Sequence, residues 1–117
     1  MMSQSQIELI KNVLGKYSHI YKCDSVIEHV IDFVNDVMEI TGKSFNEILN
    51  TIAKAEENLK LSKTCCGSGK AELNEKYTIN VVVTYTNYCN CHGIFKAVYL
   101  ELRENGKLIL EKKIWCG

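Results

Sequence analysis

The chain has 117 residues, of which 46% are hydrophobic and 24% charged, and its formal net charge at pH 7 is zero. That length suits one domain with its own core, and the composition is that of an ordinary globular protein. Balanced charge, with Arg103 the only arginine, argues against nucleic acid, membrane surfaces and acidic substrates as partners.

Three helices are expected first. Residues 5 to 15 place Ile7, Ile10, Val13, Leu14 and Tyr17 on one stripe, with Gly15 near the stop. In the second helix Val26, Ile27, Val30, Ile31, Val34, Val37 and Met38 follow a 3.6 period. Ser25 and Glu28 offer a capping box at its start, and Thr41-Gly42-Lys43 ends it. Ser44 and Glu47 offer a second box. The third stripe runs through Phe45, Ile48, Leu49, Ile52, Ala53, Glu56 and Leu59. So short a turn between the last two helices makes them a hairpin.

After Leu61 the period changes to two. In "YTINVVVTYT" Tyr77, Ile79, Val81, Val83 and Tyr85 alternate with polar residues, the pattern of a half-buried strand. "IFKAVYLELR" and "KLILEKKIW" follow as two more. Between them "ENG" predicts a three-residue loop with Gly106 left-handed. That loop would pair Arg103 with Lys107, Leu102 with Leu108, Leu100 with Leu110 and Ile94 with Cys116. Upstream, "GKAELNEKY" holds a turn at Asn74-Glu75. A short strand before that turn would run antiparallel to the region of Val83. The expected fold class is α+β: three N-terminal helices packed on a three- or four-stranded antiparallel meander. The single domain 1–117 divides into a helical segment over residues 1–61, a Cys/Gly loop or short strand over 62–76, and a β-meander over 77–117. The middle strand of the meander has apolar residues on both faces, so its second face is covered or serves association between copies.

The cysteines carry the only clustered chemistry. Cys65 and Cys66 precede the short strand, Cys89 and Cys91 with His92 lie in the connection "TNYCNCHG", and Cys116 follows the last strand. This topology brings them to one sheet end. Four thiolate or imidazole ligands suit tetrahedral zinc, and paired thiols suit disulfides. The expected set is Cys66, Cys89, Cys91 and Cys116, with Cys65 and His92 as alternates. Zinc and disulfides stand as equal readings. The start "MMSQSQIELIKNVLGKY" lacks the pattern of a signal peptide, no apolar run is long enough for a membrane span, and a cytoplasmic location is expected. A reducing cytosol favours metal or free thiols. The Ile-, Lys- and Asn-rich composition also fits AT-rich hyperthermophile genomes, whose proteins do carry intracellular disulfides. Cys23 is expected to pack as a small apolar residue.

"KTCCGSGK" resembles half of a C-x-x-C-x-G-x-G repeat of the DnaJ-type zinc domain, matching at Cys66, Gly67 and Gly69. The family works through repeats, and the match occurs once, so no function is carried over. The same stretch fails as a phosphate-binding loop, because Thr64 replaces the first glycine and Ala71 follows Lys70. His19 and His29 have no ligand partner at a useful spacing, and no catalytic triad is visible. The resulting expectation is a non-enzymatic module that binds a protein partner. A redox-active or metal-handling thiol protein and a nucleic-acid binder are the alternatives.

Overall fold

The computed structural model describes residues 4–13, 24–61, 67–85 and 96–114. In chain order these form helices α1 (Gln4–Val13), α2 (Asp24–Thr41) and α3 (Phe45–Glu57), then strands β1 (Lys60–Leu61), β2 (Gly67–Glu72), β3 (Tyr77–Tyr85), β4 (Lys96–Glu104) and β5 (Lys107–Ile114). The strands make one antiparallel sheet in the order β1-β2-β3-β4-β5. The architecture is therefore α+β, helices first and sheet second. The two-residue β1 is an addition that the sequence did not suggest.

The helices form where the periodicity places them. On α2 the buried positions are Ile27, Val30, Ile31, Phe33, Val34 and Val37. Phe33 is not among the expected positions, but it stands three residues after Val30 and four before Val37 on the same face, and it has no solvent exposure at all. The helix begins at Asp24, one residue ahead of the expected cap Ser25. Gly42, at φ +72°, ends it and donates its backbone N–H to the Met38 carbonyl at 2.9 Å. That is the left-handed closure a glycine permits without a Cβ clash. Ser44 caps α3, accepting from the Glu47 N–H at 3.2 Å. The Glu47 carboxylate lies 3.8 Å from Lys43 Nζ.

The core is formed where helices meet strands. Helix α2 packs against α3, β4 and β5, while α3 packs against β2 and β3. Helix α1 lies on α3, burying Ile10, with Ile7 and Leu9 half-buried beside it. On the sheet side the buried set is Tyr77, Ile79, Val81, Val83, Val98, Leu100, Leu102 and Ile114. At about 1.5–3 kcal/mol for each large aliphatic or aromatic side chain removed from water, this shared layer is the main stabilising term. Glu56, at 1% exposure, is buried within the α3 stripe, as its spacing implied.

The β2–β3 hairpin forms as expected, with Gly67 across from Val83. Asn74 shapes its turn: its Oδ1 accepts from the backbone N–H groups of Lys76 and Tyr77, both at 2.8 Å. The β4–β5 hairpin corrects the expected register. Glu104, not Arg103, pairs with Lys107, so the loop has two residues, Asn105 at φ 52° and Gly106 at φ 85°. Asn-Gly is the dipeptide best suited to two successive positive φ values, and such a turn matches the twist of its strands. Left alone, that turn would bring Ile109, Glu111 and Lys113 to the core face. A bulge at the Leu102/Arg103 step moves the strand by one residue. Leu102 then pairs with Leu110, Leu100 with Lys112, and Val98 with Ile114, whose side chain becomes fully buried. The cost is that Leu108 and Ile109 remain exposed.

The Asn74 turn and the Asn105-Gly106 turn are linked. Asn105 donates its N–H to the Lys76 carbonyl at 2.8 Å, and Lys76 Nζ lies 3.4 Å from Glu104 Oε1 and 5.5 Å from the Tyr77 ring centre. The hydrogen bond to Glu104, then its charge, raises the Lys76 pKa above its usual 10.5. A raised lysine pKa stabilises the fold below the unfolded value, and that contribution is lost as pH rises through the folded one. The expected result is a Lys76 side-chain NMR titration that moves down towards 10.5 in Glu104→Gln. The unfolding midpoint should change little, since the pair is exposed. An unaltered titration would mean that Glu104 does not hold Lys76.

Candidate functional site

Two places in the fold carry groups that can do chemistry. The first is the sheet end towards which the cysteines were expected to converge. Cys23, Cys65, Cys66, Cys89, Cys91, Cys116, His19 and His92 all lie outside the described residues. Among the described residues no group of three or more His, Cys, Asp or Glu is placed to hold a metal ion.

What the structure does show is the frame that flanks them. Leu61 pairs with Gly67, Gly67 with Val83, Val83 with Val98, and Val98 with Ile114. These five positions make one row across the whole sheet. With strands about 4.8 Å apart, Gly67 and Ile114 are roughly 14 Å from each other, and the β3–β4 connection is anchored between them. Cys66 directly precedes Gly67 in the chain, Cys89 and Cys91 lie in that connection, and Cys116 is two residues past Ile114. The expected pairing of Ile94 with Cys116 lies outside the described residues, but the register it was counted from is two residues out.

The second place was not foreseen. The stretch "GSGK", rejected above as a phosphate-binding loop, opens strand β2. Gly69 faces the helices: a Cβ built on it would collide with the Ala55 carbonyl oxygen and come within 2.5 Å of the Leu59 nitrogen. Alternation then turns Ser68 and Lys70 to the opposite, outer face. Lys60 pairs with Ser68 and Asn80 with Lys70, so they share that face. Asn58, the C-cap of α3, donates from Nδ2 to the Lys70 carbonyl at 3.0 Å and ties the helix end to the strand. Asn58, Lys60, Ser68, Gly69, Lys70 and Asn80 line an open depression of about 540 Å³.

Its floor is held from the side. Asn80 Nδ2 donates to Glu101 Oε1 at 3.3 Å, and the same oxygen accepts from Arg103 Nε at 3.2 Å. Arg103 Nη1 also donates to the Gly106 carbonyl at 3.1 Å, which joins the network to the hairpin turn. Glu101 is only 8% exposed although it lies on the outer face, because these donors surround it. Asn80 Oδ1 is buried without a hydrogen-bond partner. Among the described residues, neither Lys60 nor Lys70 has a carboxylate within ion-pairing distance. No sequence motif marks this group, because Lys60, Ser68, Lys70 and Asn80 meet only through strand pairing.

His29, half-buried on α2, has a buried Nδ1 without a partner, and no second ligand accompanies it among the described residues. Among the described residues, no helix is long and apolar enough to cross a membrane. No protein-family model matches the chain, and no curated protein or solved structure shows significant similarity to it. The class that fold and geometry define is thus a small α+β domain with a sequential antiparallel sheet.

Proposed function

We propose that the chain is a non-enzymatic binding or regulatory module whose sheet end is fixed by Cys66, Cys89, Cys91 and Cys116. They would hold a structural zinc ion or form disulfides, with Cys65 and His92 as alternate members. The observation that supports this reading is the row Gly67–Val83–Val98–Ile114, which brings the flanks of all three cysteine-bearing segments to one end. Continued past Ile114, the observed register would set position 116 across from Lys96 rather than Ile94, still beside the β3–β4 connection. A cross-link there would pin the last residues of the chain, which otherwise fray. The partner would be another protein, or a second copy met through the outer sheet face, in the cytoplasm.

The test is thermal unfolding of the wild-type chain and of Cys116→Ser, each with chelator alone and with reductant alone. A structural zinc predicts one bound metal per chain and a melting temperature lowered by chelator. Disulfides predict sensitivity to reductant, with a loss of about 2–4 kcal/mol. Thiols that react rapidly at neutral pH would favour the alternative of a redox or metal-handling protein. If neither treatment nor the substitution moves the transition, the cysteines do not hold the sheet end and the reading fails.

A further inference from the structure

We propose that the depression between the end of α3 and the outer face of β1, β2 and β3 binds a small oxyanion of the phosphate or carboxylate class. Lys60 and Lys70 are the charged contacts, and Ser68 lies between them. The proposal stands apart from the cysteine reading, since it uses none of those residues.

The first support is the arrangement of charge. Lys60 is the direct cross-strand neighbour of Ser68, and Lys70 is two residues further along the same face of β2. Diagonal neighbours of this kind have backbones roughly 7–8 Å apart, so two lysine stems can converge on a group the size of a phosphate. Both ammoniums lack a counter-ion among the described residues. A hydroxyl between two cations supplies a neutral donor that fixes the oxyanion's orientation.

The second support is rigidity. The β2 backbone under Ser68 and Lys70 is clamped from below by the contact of Gly69 with the end of α3. It is held at the edge by Asn58, and beside it Asn80 is fixed through Glu101 and Arg103. The strand backbone on such a frame needs no ordering on binding, so the freedom lost is that of the side chains alone. The end of α3 brings about half a negative charge close by, and two whole positive charges outweigh it. The volume falls within the range of small-molecule sites, but its lining residues are polar side chains and one glycine, with no aliphatic or aromatic side chain among them. The ligand is therefore small and strongly hydrated, and its binding weakens with salt.

The experiment is a titration of the full ¹⁵N-labelled chain at constant ionic strength with inorganic phosphate, with acetate, and with chloride as control. Saturable shifts of the Ser68, Gly69 and Lys70 amides are expected with phosphate or acetate and not with chloride. Tighter binding of phosphate assigns the ligand to phosphate compounds, and tighter binding of acetate assigns it to carboxylates. The double variant Lys60→Gln, Lys70→Gln should weaken binding at least tenfold, and both residues are exposed enough for the fold to survive. If that variant does not fold, Ser68→Ala serves instead, with an expected loss of several-fold. Shifts that stay linear and equal for all three anions overturn the proposal, as does affinity unchanged in the variants.

Discussion

Phe33→Ala is expected to destabilise the fold by about 3–5 kcal/mol, the usual cost of removing a buried aromatic ring. Phe33 is on α2, the helix that joins the sheet at β4 and β5 to the helix pair at α3. Its side chain has no solvent exposure, and it heads the set of largest fully buried side chains. Truncation leaves a void that close-packed neighbours cannot fill, so lost dispersion adds to lost transfer energy. Against a typical total of about 5–15 kcal/mol, the loss would leave a marginal protein. Urea unfolding should show a lower midpoint with an unchanged slope, and Asn35→Ala, exposed on the same helix, should stay within about 0.5 kcal/mol of wild type. A Phe33→Ala cost below about 1 kcal/mol would mean that α2 does not pack on the sheet through this residue.

Gly69→Ala should be the most damaging of the small substitutions, at about 1–3 kcal/mol. The added methyl meets backbone on every side: the Ala55 carbonyl oxygen, the Leu59 nitrogen and, at 2.7 Å, the Asn58 carbonyl carbon. Backbone cannot rotate out of the way as a side chain can. Strand β2 must then move off α3, breaking the Asn58–Lys70 bond as it goes. Gly106→Ala makes the useful comparison. It has nothing within 4 Å but sits at φ +85°, so its cost is backbone strain of about 1–2 kcal/mol without a clash. Amide exchange separates the two. Gly69→Ala should loosen β1 and β2, and Gly106→Ala should loosen the β4–β5 turn. If Gly69→Ala were neutral and left exchange in β2 unchanged, the helix end and strand would not be in the contact described.

Much of the fold was legible because its signals are periodic and local. The α3 stripe, even with Glu56 in it, gave its buried face, and the Asn74 turn gave the β2–β3 pairing at Val83. Phe33 keeps the spacing of the α2 stripe, three residues after Val30 and four before Val37, so its burial was within reach of the same periodicity that marked its neighbours. What escaped depends on relations between distant segments. Strand β1 is too short to alternate. The β4–β5 register turns on the competition between a two-residue Asn-Gly turn and the demand that Ile114 be inside, which a bulge resolves. A count from one end of a hairpin cannot foresee that. The segments that carry Cys66, Cys89, Cys91 and Cys116 adjoin the strand ends at Gly67, Tyr85, Lys96 and Ile114 and lie outside the described residues. The group around Lys60 and Lys70 was invisible because its members come from three strands and meet only across them.

The sequential strand order has a kinetic consequence. Among the described residues each strand pairs only with its neighbours in the chain, so none of these pairings waits for a remote partner and loop-closure entropy stays small at each step. The two hairpin turns at Asn74 and at Asn105-Gly106 lie at the same end, tied by the Asn105–Lys76 hydrogen bond. Both hairpins can close there within microseconds and zip outward. Strands β3 and β4 are instead joined across the far end, through the longer connection at 86–95. Their row at Val83, Val98 and Ile114 is therefore the last to be assembled in such a sequence of events. Zipping would run towards the cysteine segments, and a thiol partnership formed early, before that row is in place, would act on chains whose strands are not yet in register.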